Sequence, residues 1–267
     1  MPASIKVPES RYNVDAVRRA IAQMRDDLCA PLRLADLART ASFSPFHFHR
    51  VFRATTGETP ARFLAALRMA KARRLLMRSR SSVAMISSAV GYTSVGTFTT
   101  QFRRLVGLPP ERFRHLARRL DGLLIGGRSP GYRPAGRWGP AGAGLIIGEF
   151  RPLEPDAGPV RWGTADADYP VWQLPFALGP GGYQVRILHL EQQWPAGSAL
   201  IDDEPGSYRI GMTRLSVVEP FRIPVLIRPP MRVPDPTDRP VLSAEPVRLL
   251  ADALHAEAPA RHNLRLA

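Results

Sequence analysis

Residues 44–57 read SPFHFHRVFRATTG and residues 94–107 read SVGTFTTQFRRLVG, so a serine, two phenylalanines, an arginine and a closing glycine recur fifty positions apart. The correspondence extends past the quoted stretches. Phe48, Phe52, Arg53, Gly57, Pro60, Arg62 and Phe63 match Phe98, Phe102, Arg103, Gly107, Pro110, Arg112 and Phe113. Upstream, an offset of forty-nine pairs Leu37 with Ile86, Ser42 with Gly91 and Phe43 with Tyr92. Coincident apolar periodicity would not duplicate the glycine, the proline and the capping serine in register. Two tandem helix-turn-helix units account for it.

Local signals place the helices. Ser44-Pro45 and Thr59-Pro60 each combine a good N-cap with a proline at the first helical position. Val17, Ile21, Met24 and Leu28 recur at spacings of three or four, one apolar helix face, and helical patterning runs from Asn13 to about Arg119. If Phe48, Val51 and Phe52 are buried, the opposite face of the first Ser-capped helix carries Phe46, His49, Arg50 and Arg53. Arg50 suits paired hydrogen bonds to guanine, His49 a base edge or phosphate, Phe46 a thymine methyl and Arg53 a phosphate.

Charge supports that reading. The chain carries a formal net charge of +14, yet residues 1–120 hold 22 Lys+Arg against 7 Asp+Glu, while residues 121–267 hold 15 against 16. The whole excess lies in the helical half, as expected of a polyanion-binding domain, because cations facing phosphates gain affinity by releasing counterions.

Beyond Leu120 the composition changes. Residues 120–143 are crowded with glycine and proline and read as a linker. From residue 144 onward, 17 of the 27 prolines and three of the four tryptophans occur, and strand-like pieces replace helical spacing: LIIGEF, VRWG, VWQLPF, GYQVRILHLEQQW, SYRIGMTRLSVV and FRIPVLIRP. Short strands between Pro/Gly turns favour an antiparallel β-sandwich, closed by a last helix from Val247. The expected organisation is therefore multidomain α plus β: an arm at 1–12, a tandem helix-turn-helix domain at 13–119, the linker, and a β-rich domain at 144–267.

LADLARTASFSPFHFHRVFRATTGETPARFL and ISSAVGYTSVGTFTTQFRRLVGLPPERFR together closely resemble the AraC/XylS family of bacterial transcription regulators, over about Asn13 to Arg119. The resemblance implies a seven-helix DNA-binding domain whose third and sixth helices read bases in double-stranded DNA. By position it assigns Phe46, His49 and Arg50 to the first base-reading set and Val95, Gly96, Thr97, Thr99 and Thr100 to the second; from their own chemistry and place on the two helices, Arg53 and Arg103 are expected to face phosphate. The second set is chemically thin, so the first helix is expected to dominate specificity. RNA polymerase is a partner that the resemblance implies. Many relatives place the sensor first; here the DNA-binding part comes first, as in the right-origin-binding type, although the C-terminal sequence does not match the gyrase-inhibitor fold of that type.

The C-terminal domain is expected to sense a small molecule or to contact protein partners, with a homodimer among the expected assemblies. Trp162, Trp172, Tyr183 and Trp194 are its candidate pocket residues, since ligand sites are largely apolar and aromatic; core packing is the competing reading for all four. No enzyme, cofactor or metal site is expected. His47 and His49 lie two apart on a helix and point about 200° from each other. His189 lacks a motif partner, and Cys29, the lone cysteine, has no PCHR-like context of the kind found in the DNA-repair methyltransferases with this DNA-binding fold. Cys29 is expected to be a buried structural thiol. With no long apolar run and no signal-peptide core, the chain is expected in the cytoplasm. An architectural DNA binder of low specificity and a DNA-tethered enzyme are the alternative functions.

Overall fold

A computed structural model of the chain describes residues 9–123, 125, 145–154, 159–166, 171–172, 178–190, 195–202, 208–218, 225–227 and 229–256. Seven helices come first: α1 (Glu9–Asp26), α2 (Leu34–Thr40), α3 (Pro45–Thr56), α4 (Pro60–Arg78), α5 (Val83–Ala89), α6 (Val95–Val106) and α7 (Pro110–Arg118). Strands β1 (Leu145–Pro152), β2 (Arg161–Asp166), β3 (Val171–Trp172), β4 (Gly181–Leu190), β5 (Tyr208–Val217) and β6 (Val225–Leu226) follow, with a π-helical turn at Ser198–Asp202 and a final helix α8 (Glu245–Ala256). The chain separates into two compact units. One comprises the chain up to Arg114 together with Asp235–Ser243, the other His115–Pro234 and the chain from Ala244.

In the helical unit, the capping chemistry read from the sequence recurs at both copies. Ser44 Oγ accepts the His47 N–H at 3.4 Å, and Ser94 Oγ accepts the Thr97 N–H at 3.4 Å. Gly57 (φ 75°) and Gly107 (φ 92°) end α3 and α6 in the left-handed region, donating to Arg53 O and Arg103 O at 2.9 Å. Only glycine adopts that conformation without a steric cost. The two cores are copies as well. Phe48, Phe52 and Phe63 form an edge-to-face chain with ring centroids 5.4 and 5.5 Å apart, and Phe98, Phe102 and Phe113 repeat the chain at 5.7 and 5.8 Å, the first pair tilted and the second edge-to-face. All six rings are fully buried, each worth about 1.5–3 kcal/mol of transfer free energy. Helix α1 starts at Glu9 rather than near Asn13, and Tyr12 from its first turns packs edge-on against Phe43 at 5.8 Å.

The segment Asp235–Ser243, far along the chain, packs with these helices. Asp235 accepts from Arg18 of α1 at 2.5 Å, Arg239 donates to Glu58 at 2.6 Å in the turn between α3 and α4, and Arg73 of α4 donates to Val241 O. Arg73 is buried, and its guanidinium also lies 5.2 Å from the Phe113 ring centroid, where desolvation strengthens the cation–π attraction. Burial acts to raise the Asp235 carboxyl pKa, but hydrogen bonds from Arg18 and Thr237 outweigh it and hold it at about 2.

The second unit contains a four-stranded antiparallel sheet in the order β2-β1-β4-β5 and a two-stranded β3–β6 ribbon. Six consecutive residues of β1, Leu145–Phe150, are buried, so both faces of the sheet are covered at that end. Along β4 the alternation holds from Tyr183 to Ile187 and then gives way to burial on both faces at Leu188. Among the described residues VWQLPF and FRIPVLIRP contribute two paired residues each, Val171 and Trp172 opposite Leu226 and Val225; residues 173–177 and 221–224 lie outside the described residues, as does 126–144 with most of the expected linker. The beginning of that linker is packed rather than free. Leu120 and Ile125 are buried, and Leu123 O accepts from Ala196 N–H at 2.9 Å.

Candidate nucleic-acid interface

Helix α3 buries Phe48, Val51 and Phe52 and turns Phe46, Arg50 and Arg53 outward, Phe46 being 81% exposed. His49 is half-buried and lines a groove of about 380 Å³ with Leu37, Pro60 and Leu64. Helix α6 repeats the arrangement: Phe98, Phe102 and Val106 are buried, Val95, Gly96, Thr97, Thr100 and Arg103 are exposed, and Thr99, at the position of His49, is half-buried. Phe46, Arg50 and Arg53 thus share one exposed face of α3, and Gly96, Thr100 and Arg103 share the matching face of α6, with Val95 and Thr97 exposed to either side of it and His49 and Thr99 half-buried at its edge. The 3.6-residue period dictates this once the phenylalanines are buried.

One participant lies outside those sets. Arg50 donates to His47 Nδ1 at 3.3 Å, and the His47 ring packs edge-on against Phe43 at 4.6 Å. A guanidinium can only donate, so His47 Nδ1 must be the acceptor. Phe43 holds His47, and His47 steadies Arg50. The i,i+3 spacing of His47 and Arg50 was a usable signal, because residues three apart on a helix are neighbours. His47 and His49 have different surroundings, the first against Phe43 and the second in the groove beside Leu37 and Leu64. Among the described residues no cluster of three His, Cys, Asp or Glu could hold a metal ion.

Two expectations need correction. Cys29 is exposed, and its thiol donates to Ala89 O at 3.0 Å; it sits in the turn after α1, where no apolar face covers it. Of the four candidate pocket residues, Trp162 and Tyr183 also do not share a face. Trp162 pairs with Glu149 across β2 and β1, whereas Phe150 pairs with Val185, two residues along β4 from Tyr183. Adjacent residues of a strand point to opposite faces, so Trp162 and Tyr183 lie on opposite sides of the sheet. Tyr183 is core, packed with Phe150, Leu178, Val185 and Ile187, and its hydroxyl donates to Gly179 O at 3.0 Å. The side chain of Trp172 and all of Trp194 lie outside the described residues. The Trp162 face instead carries a buried acid the sequence did not single out, Glu149, paired with Arg151 and, at 3.4 Å, with Arg186. His189 lies in β4 opposite Ile146 and Arg209.

Comparison with known proteins agrees with the geometry of the helical unit. A family model described as a helix-turn-helix domain matches residues 37–115. The MmsAB operon regulatory protein of Pseudomonas aeruginosa is 38% identical over 101 residues, covering 38% of this chain and 33% of that protein. The bifunctional transcriptional activator/DNA repair enzyme AdaA of Bacillus subtilis is 28% identical over 117 residues, 44% of this chain and 54% of that one. Among solved structures, the DNA-binding domain of AdpA in complex with a target DNA is 30% identical, covering 39% of this chain and 93% of that one, with a TM-score of 0.37. The chain spans between about a third and a half of these two curated relatives. Among the described residues no helix is long and apolar enough to cross a membrane. The helical part of this chain carries a DNA-binding helix-turn-helix domain of the AraC/XylS type.

Proposed function

We propose that the chain is a sequence-specific transcription regulator that lays α3 and α6 into adjacent major grooves, with α3 supplying most of the base specificity. The observation that carries this reading is the duplicated exposed ridge: positions 46, 49, 50 and 53 of one helix and 96, 99, 100 and 103 of the other have the same exposure, over the same phenylalanine core. The ridges differ in chemistry. Phe46, His49 and Arg50 present an aromatic ring, an imidazole and a fork of donors, whereas Gly96, Thr99 and Thr100 offer short hydroxyls and methyls. Arg53 and Arg103 complete each ridge with a phosphate ligand. Helix α4 has 19 residues and is about 28 Å long at 1.5 Å per residue. Successive major grooves on one face of DNA lie roughly 34 Å apart, so modest bending brings both helices home.

Residues 13–119 carry DNA recognition in this reading, and residues 144–267, sandwich-like in their strand pattern, sense a small molecule or contact a protein partner. RNA polymerase and a second copy of the chain are the further partners it entails. The test is binding-site selection at fixed salt with wild type, Arg50→Ala and Thr100→Ala. Arg50→Ala should cost about 1–3 kcal/mol at one base position and relax preference there, with a smaller effect from Thr100→Ala. A larger specificity loss from Thr100→Ala overturns the dominance of α3, and binding without any motif identifies an architectural binder.

A further inference from the structure

We propose that Arg68 is a positioning residue that fixes the orientation of the second recognition helix against the first, an inference that rests on the two-groove reading above. Arg68 leaves the middle of α4, the helix joining the repeats, and its half-buried side chain is committed on three sides. Nε donates to Leu28 O at 2.8 Å, Nη2 donates to Ala30 O at 2.9 Å, and the guanidinium lies 5.8 Å from the centroid of the Tyr92 ring. The two carbonyls belong to the turn after α1, where Leu28 packs against the core of the first repeat. Tyr92 precedes α6, and its ring meets Phe98, the buried anchor of that helix, at 5.6 Å. One guanidinium therefore spans from the border of the first core to the base of the second recognition helix.

Two other contacts close the same junction. The Cys29 thiol donates to Ala89 O at the end of α5, and Gly91 (φ 81°) approaches so closely that a methyl there would stand 2.9 Å from Leu28 O and 3.0 Å from the Cys29 Cα. The second repeat is otherwise held to α4, where the Arg73 guanidinium lies 5.2 Å from the Phe113 ring centroid, and to the Ser79–Ser82 connection, where Arg114 donates to Ser81 O at 2.6 Å; the Arg68 junction adds the tie to the turn after α1. The planar fork of arginine bonds two carbonyls while its face lies against an aromatic ring; lysine, a point charge, cannot do both. The consequence for DNA follows from helical geometry. Each base pair inserted between two contacted elements rotates the second groove by about 35°, so a locked frame accepts one spacing and a pivoting frame accepts several.

The test uses the full chain with spin labels on noncanonical residues at Phe46 and Val95, which leaves Cys29 untouched. In DNA-free wild type, one narrow inter-label distance is expected. Arg68→Ala should broaden it, and Arg68→Lys should fall between. For the unlabelled chain on a selected two-element operator and its derivatives with one base pair inserted or removed, the spacing discrimination of Arg68→Ala should fall by about 2- to 30-fold, the range spanned by packed coupling networks. Should Arg68→Ala not fold, Gly91→Ala probes the junction from its other side with the same two readouts. A variant that loses stability while keeping the narrow distance and the spacing preference overturns the inference. Broadened distances with no two-element operator refute the groove reading alone and leave the positioning role standing.

Discussion

Ser42 and Gly91 occupy the same place in the two repeats and both have positive φ, 60° and 81°, so exchanging small residues between them isolates what the tertiary structure adds to an identical backbone demand. A side chain in the left-handed region costs roughly 1–2 kcal/mol relative to glycine. Ser42→Gly removes that strain and should stabilise the helical unit, less the entropy glycine loses on folding, a net gain of up to about 1 kcal/mol. Gly57→Ala and Gly107→Ala introduce the strain and nothing else, because a methyl at either site meets no atom within 4 Å; each should cost about 1–2 kcal/mol. Gly91→Ala adds a clash to the strain. Its methyl would lie 2.9 Å from Leu28 O and 3.0 Å from the Cys29 Cα, both backbone atoms that cannot swing aside, and overpacking of this kind costs about 1–3 kcal/mol. The total is then about 2–5 kcal/mol, well above the Gly57 and Gly107 variants. Gly96 completes the series from the opposite direction: it lies in α6 with only Ser94 Oγ near its absent methyl, at 3.7 Å, and Gly96→Ala should gain about 0.5–1 kcal/mol. Urea unfolding followed by far-ultraviolet circular dichroism ranks all five variants. A Gly91→Ala loss no larger than that of Gly107→Ala would refute the close packing of the second turn on the chain after α1.

The other predictions are briefer. Phe48→Ala should cost about 3–5 kcal/mol by opening a cavity in the first core, whereas Phe46→Ala, 81% exposed, should change stability by less than about 0.5 kcal/mol and weaken DNA binding instead; paired urea titrations and DNA titrations separate the two. Arg53→Ala and Arg103→Ala should each lower the slope of log affinity against log salt by about 1, uniformly across DNA sequences. Asp235 has a folded pKa of about 2, below its ordinary 3.8, so its ion pair with Arg18 contributes stability fully above pH 4, and that contribution is lost as pH falls from 4 toward 2. The stability gap between wild type and Asp235→Asn should be constant from pH 5 to 7 and should shrink below pH 4; a gap that widens on acidification contradicts the assignment.

Much of the helical unit was legible because its rules are local. Ser44 and Ser94 as caps, Gly57 and Gly107 as left-handed ends, and the outward position of Phe46, Arg50, Thr100 and Arg103 all follow from spacings within four residues of one another. The duplication made each inference twice, which is why the faces of α3 and α6 emerged with the same register. Local rules also explain the strands β1, β4 and β5 and the final helix α8.

What the sequence by itself determined is the repeat, its caps and its exposed ridges, since a helix decides which side chains share a face within its own turns. Tertiary structure alone decided that Arg68 reaches back to Leu28 and Ala30, that Asp235, Arg239 and Val241 pack with α1, α4 and the turn between α3 and α4, and that Cys29 faces solvent. It also decided that Trp162 and Tyr183 stand on opposite faces of one sheet, because strand register, not aromatic content, sets which residues meet. The hydrogen-bonded partners in the helical unit lie from 38 to 217 residues apart. No periodicity carries information over that distance; only the packing of finished elements does.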